Sequence, residues 1–169
     1  MQITKGYISG CVGDIISLNA KYYAKRFDLG KAFEIKIATD IAEFVASLGS
    51  GKRELFTCIK DGVLIGCIAV DEIDEMGLLR WFLVDDRFQN QGIGKGLLKE
   101  AIKFCDENFN QTYLYTNKEL EIAIKMYEKF GFERDENFAP KRYEELGELE
   151  ILRYIKKRSE NESVNQCER

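Results

Sequence analysis

The most constraining feature of this chain is a glycine-punctuated junction, LLRWFLVDDRFQNQGIGKGLLKEAI, in which an apolar run ending at Val84 enters a helix-forming segment through a short loop. A strand that feeds a helix in this way aims free main-chain N–H groups and the positive helix end at one spot. Such a spot binds anions, and glycines let a phosphate approach the backbone closely. The candidate residues are Gln89, Asn90, Gln91, Gly92, Ile93, Gly94, Lys95 and Gly96. Two phosphate-binding patterns fail here. A Walker loop needs Gly-Lys followed by Ser or Thr, and Lys95 is followed by Gly96. A dinucleotide fingerprint needs wider glycine spacing and an acidic residue ending the next strand, and that strand ends at Thr116-Asn117.

Around this junction the periodicity predicts one mixed α/β domain. Gln2 to Ile8 reads as a short strand, and Asp14 to Phe27 as a helix capped by Asp14. Lys31 to Leu48 carries a helical apolar stripe that ends at Gly49-Ser50-Gly51. Glu54 to Lys60 and Val63 to Glu72 read as strands joined at Asp61-Gly62, a strong hairpin signal. Gly77 to Val84 is a further strand. A helix from Gly92 to Asn108, a strand from Gln111 to Thr116 and a helix from Leu120 to Phe130 follow. Two last strands are expected, from Phe132 onward and over Leu149 to Ile155. The strands flanking the Gly92–Asn108 helix are expected to be parallel. Residues 1–156 are read as the domain, and 157–169, which carry almost nothing to bury, as a frayed polar tail.

Composition narrows the chemistry. The chain has no histidine, which removes Ser-His-Asp and Cys-His catalysis and histidine-containing metal sites. No metal is expected. A net charge of -4 argues against nucleic-acid binding and favours a cationic or neutral substrate over a polyanion. The five cysteines lack Cys-Xaa-Xaa-Cys spacing and no secretory signal precedes them, so free thiols in a reducing cytoplasm are expected, with Cys58, Cys67 and Cys105 in the core. No apolar run approaches the roughly 20 residues that span a bilayer. Arg80 is unusual in a central strand and is read as a structural partner of Glu72 or Glu75, in preference to a group that reaches into a substrate site. The run Glu144, Glu145, Glu148 and Glu150 is read as a solvated loop that also has the charge to attract a cationic amine.

The junction resembles motif A of the GNAT superfamily of N-acetyltransferases, Arg/Gln-Xaa-Xaa-Gly-Xaa-Gly/Ala after a strand, with Gln89, Gly92 and Gly94 in register. Asn90 stands where glycine is commonest, and asparagine tolerates positive φ better than most residues. Downstream, TNKELEIAIKMYEKFGF resembles motif B, matched at Ala123, Tyr127, Glu128, Lys129, Gly131 and Phe132. Leu120 replaces an asparagine frequent in that motif, and Asn117 is expected to supply its amide. The N-terminal helices, through Gly13-Asp14 and Tyr23-Ala24-Lys25, resemble the acetyltransferase half of MarR–GNAT fusion proteins; no DNA-binding half is present.

The resemblance implies a mostly antiparallel central sheet with helices on both faces and one splayed parallel strand pair. It implies acetyl-CoA as acyl donor, its pyrophosphate on the glycine loop and its pantetheine along the main chain at Leu83 and Val84. A main-chain N–H near Leu83 would polarise the thioester carbonyl. Tyr127 would protonate the leaving thiolate, and Glu72 or Glu75, chosen from strand proximity, would take the acceptor's proton through water. The implied activity is acetyl transfer to a primary amine of a small molecule or peptide. A non-catalytic acyl-CoA-binding sensor is the alternative, and homodimerisation is left open.

Overall fold

A computed structural model describes residues 2–158. The elements are β1 (Gln2–Lys5), α1 (Cys11–Phe27), α2 (Lys31–Ala46), β2 (Glu54–Lys60), β3 (Val63–Ile73), β4 (Met76–Val84), α3 (Ile93–Asn108), β5 (Gln111–Asn117), α4 (Glu121–Lys129), β6 (Glu133–Arg134) and β7 (Ile151–Lys157). Short 3-10 turns occupy Asp86–Phe88 and Glu144–Leu146. The sheet runs β1-β2-β3-β4-β5-β7-β6. All its pairings are antiparallel except β4 with β5.

The two faces of the sheet build separate cores. Along β3, Leu64, Cys67 and Ala69 pack with Ile15 of α1 and Phe33, Ile37 and Ile41 of α2. Ile65, Ile68 and Val70 pack on the other face with Leu97, Leu98 and Ala101 of α3 and Tyr127 of α4. β3 is buried on both sides, which explains its nearly unbroken apolar run. The Asp61-Gly62 hairpin takes positive φ at both residues, 51° and 77°, as a two-residue turn of this kind requires.

Most element boundaries fall within two residues of the sequence reading. Asp14 is a correction. Helix α1 begins three residues earlier, behind Gly10 at φ 89°, and the Asp14 N–H donates to the Gly10 carbonyl at 3.1 Å, so Asp14 lies inside the first turn. Glycine adopts that left-handed conformation readily, and Gly10 takes the N-terminal capping position four residues ahead of Asp14. Strand β7 takes in Lys157; residues 159–169 of the expected tail lie outside the described residues. Cys11, Cys58, Cys67 and Cys105 are free and buried. Among the described residues no helix is long and apolar enough to cross a membrane.

Candidate active site

The site forms where the parallel pair comes apart. β4 and β5 pair at Gly77 with Thr112, Leu78 with Tyr113 and Leu79 with Leu114, and then stop, although β4 continues to Val84 and β5 to Asn117. The cause lies in β4. Against β3, the register steps from Cys67–Leu83 to Ala69–Arg80, so β4 holds one residue more than its partner. Trp81 carries this bulge at φ 50°, a conformation unusual for a bulky residue. Its carbonyl accepts a bond from the buried Cys67 thiol at 3.2 Å, and its ring packs edge-on against Phe44 of α2. Burial pushes that thiol up to about 12, so it stays a neutral donor.

A cleft of roughly 860 Å³ opens at the divergence. The glycine loop forms one lip. Asp85 anchors its start: the Asp85 N–H donates to the Ile65 carbonyl at 2.9 Å, and its carboxylate accepts from the Arg87 N–H at 2.9 Å and the Arg87 side chain at 2.7 Å. The Arg87 side-chain bond holds the Asp85 carboxyl below the usual carboxylate range. Gln89 Nε2 donates to the Val84 carbonyl at 3.2 Å and to Asp86 Oδ1 at 3.0 Å, folding the loop over the strand end. Asn90 takes φ 61° and Gly92 φ 81°. The first intrahelical bond of α3 runs from the Gly96 N–H to the Gly92 carbonyl at 3.0 Å. The N–H groups of Ile93, Gly94 and Lys95 precede it and have no helical acceptor. Phosphate oxygens fit this cradle, because Gly92 and Gly94 keep side chains away from those groups.

Of the residues singled out from the sequence, Leu83, Val84, Gln89, Asn90, Gly92, Gly94, Lys95, Asn117 and Tyr127 line one continuous cleft. Gln91 is exposed on the loop, Ile93 is buried beneath it, and Gly96 lies in the first turn of α3. Asn117 ends β5, and its Oδ1 accepts from the Glu119 N–H at 3.0 Å, which shapes the turn into α4. Tyr127 is 6% exposed, and its ring lies 5.8 Å from Phe82 and 6.1 Å from Phe132. Burial, with Tyr23 and Tyr22 nearby, raises its hydroxyl well above the ordinary tyrosine value.

Glu72 is not brought to this cleft. It pairs with Gly77, at the opposite end of β4 from the divergence, and its carboxylate accepts from the Lys52 N–H at 2.8 Å. Glu75 lies in the β3–β4 turn at φ 63°. Arg80 pairs with neither. Its guanidinium reaches Asp71 at 3.0 Å and Asp40 of α2 at 3.5 Å. The antiparallel register sets Asp71, two residues beyond the Arg80 partner Ala69, within reach and carries Glu72 to the strand end.

The sequence reading missed the part played by α1. Its last turn touches both lips: Lys25 Nζ reaches Asp86 at 3.1 Å, and Arg26 Nη2 donates to the Glu119 carbonyl at 3.0 Å. Tyr22 and Tyr23 line the cleft between them. Two adjacent tyrosines on one helix were the available signal.

The Acetyltransferase (GNAT) family matches residues 19–132. The chain belongs to this family. It is 25% identical over 134 residues to an N-acetylaspartate synthetase of Xenopus tropicalis, a match covering 77% of this chain and 49% of the relative. The chain thus spans about half the length of that relative. Among solved structures, an acetyltransferase of the GNAT family from Staphylococcus aureus Mu50 superposes with a TM-score of 0.74 at 20% identity, covering 94% of this chain and all of that one. The PaiA N-acetyltransferase of Thermoplasma acidophilum, solved with coenzyme A, gives 0.65 at 18%, with 93% and 99% covered. These likenesses carry the fold.

Proposed function

We propose that this protein transfers an acetyl group from acetyl-CoA to a primary amine. The observation that carries the reading is the coincidence, in one cleft, of an anion cradle at the start of α3, a strand pair parted by the Trp81 bulge, and a buried, proton-retaining Tyr127. The diphosphate sits on the free N–H groups of the glycine loop. The pantetheine lies along the unpaired main chain of β4 beyond Leu79, with Leu83 and Val84 at its wall. Main-chain N–H groups at the bulge stabilise charge on the thioester oxygen as the amine attacks. The C–N bond forms, the C–S bond breaks, Tyr127 gives its proton to the departing sulfur, and the proton lost by the amine nitrogen returns through water to Tyr127. Glu72 has no place in this scheme, because it faces Lys52 at the far end of the strand.

The acceptor is a small molecule or a peptide, and a cytoplasmic setting accords with four free, buried thiols. Release of coenzyme A thiol from acetyl-CoA, measured with and without simple amines, tests the activity. Amine-dependent release supports the enzyme. Tight binding of acetyl-CoA without any release would instead identify a non-catalytic acyl-CoA sensor.

A further inference from the structure

Five carboxylates line the cleft: Asp40, Asp86, Glu119, Glu121 and Glu145. Asp40 is held between Lys36 and Arg80. Asp86 accepts from Lys25 and Gln89. Glu119 and Glu121 are exposed at the start of α4. Glu145 differs from all four. It is partly buried, and among the described residues it has no cation partner. The nearest arginine in sequence, Arg142, is engaged by Glu148 at 3.0 Å and Glu150 at 3.9 Å.

Glu145 is also held in place. Its 3-10 turn is closed by the Leu146 N–H on the Tyr143 carbonyl at 2.9 Å and the Gly147 N–H on the Glu144 carbonyl at 3.2 Å. Leu146 and Leu149 pack into the core formed by α1 and α2. Gly147 turns the chain back at φ 58° and ψ -128°, a conformation open essentially to glycine. The turn therefore presents a fixed, unneutralised carboxylate to a cleft that Tyr22, Trp81, Tyr115 and Tyr143 also line. Aromatic faces and a carboxylate together suit an organic ammonium ion. Of the cations that line the cleft, Lys36 is paired with Asp40, Arg26 donates to the Glu119 carbonyl ahead of α4, and Lys95 stands on the glycine loop at the anion cradle. Arg80, behind Trp81, is shared by Asp71 and Asp40. Among the described residues no ion pair places any of these cations on Glu145, and a carboxylate beside the acceptor's nitrogen would be brought against the Glu145 charge.

Resting on the function proposed above, we infer that Glu145 docks the acceptor's ammonium group, and that the acceptor is an alkyl- or arylalkylamine with no carboxylate beside its nitrogen. Glu145 takes the first proton, which the nitrogen sheds as it becomes nucleophilic, and passes it to solvent; the sulfur receives the Tyr127 proton, and the second proton, lost from nitrogen as the amide forms, returns through water to Tyr127.

The test uses the full chain loaded with desulfo-coenzyme A, which cannot accept an acetyl group, titrated calorimetrically with 2-phenylethylamine, L-phenylalanine and L-aspartate. The amine is expected to bind about tenfold or more tightly than either amino acid, as one charge-assisted contact against an unpaired carboxylate allows. Glu145→Gln is expected to abolish this preference and to leave desulfo-coenzyme A affinity unchanged. Glu144→Gln, on the exposed neighbour, is expected to change neither. Tighter binding of aspartate or phenylalanine, an unaltered preference in Glu145→Gln, or no amine binding to the loaded protein would each overturn the inference. Failure of desulfo-coenzyme A to bind would overturn the functional reading and this inference with it; bound coenzyme without amine preference would overturn this inference alone.

Discussion

Leu79 and Leu114 form the last paired position between β4 and β5, and Trp81, two residues beyond Leu79, has φ 50°. The bulge and the parting of the strands are one event. An extra residue in β4 turns that strand away from β5, and the main-chain groups released there face a cleft instead of a neighbouring strand. The glycine loop, the last turn of α1 and Tyr127 all line the same opening.

Burial raises the Tyr127 hydroxyl above the ordinary tyrosine value, so it is protonated at neutral pH and has a proton to give. Tyr127→Phe should therefore lower turnover on the order of a hundredfold, the lower end of what a positioned acid contributes, with acetyl-CoA affinity unchanged. Steady-state kinetics alongside direct binding measurements separate the two. Unaltered turnover would remove Tyr127 from the acid role.

Thr116 is 6% exposed, and its Oγ1 has no hydrogen-bond partner among the described residues. A buried hydroxyl without a partner costs about 1–3 kcal/mol. Thr116→Val keeps the shape and removes that cost, so the free protein should unfold at a higher denaturant midpoint with an unchanged slope. A lower midpoint would show that the hydroxyl is satisfied in solution.

Asp135 anchors the end of the sheet. Burial alone would raise its carboxyl, but the bond from Arg153 Nε at 2.6 Å, the Asn137 N–H at 3.1 Å and the charges of Arg153 and Arg134 outweigh it and hold the group below the ordinary carboxylate range. The folded value is the lower one. The stabilisation is therefore complete above the unfolded value, about 3.9, and is lost as pH falls through the folded value. Asp135→Asn should cost about 1.5–3 kcal/mol at neutral pH and flatten the acid side of the stability profile. An acid limb as steep as that of the parent would contradict the assignment.

What the sequence disclosed and what it withheld follow from the range of each signal. The glycine junction, the Asp61-Gly62 turn and the helical stripes are local, and they appear where the pattern puts them. Asn90 adopts the positive φ that its residue type permits. The Trp81 bulge was hidden, because one inserted residue leaves the apolar run of β4 unchanged to the eye. Glu72 was misjudged because nearness in sequence does not say which end of a strand faces the cleft; that depends on the register with β4. Glu145 read as one member of a solvated acidic run, and only the packing of Leu146 and Leu149 against the helices separates it from its neighbours.

The most direct measurement is calorimetric titration of the protein with acetyl-CoA, in parallel with Gly94→Glu. An ideal Cβ at Gly94 already lies 3.4 Å from Phe82 Cζ and 3.7 Å from Met126 Cε, so a glutamate there adds bulk and negative charge beside the diphosphate cradle. Micromolar binding is expected of the parent and none of the variant, with both folded by circular dichroism. Equal affinity in the two, or no binding by the parent, would contradict the proposed coenzyme site.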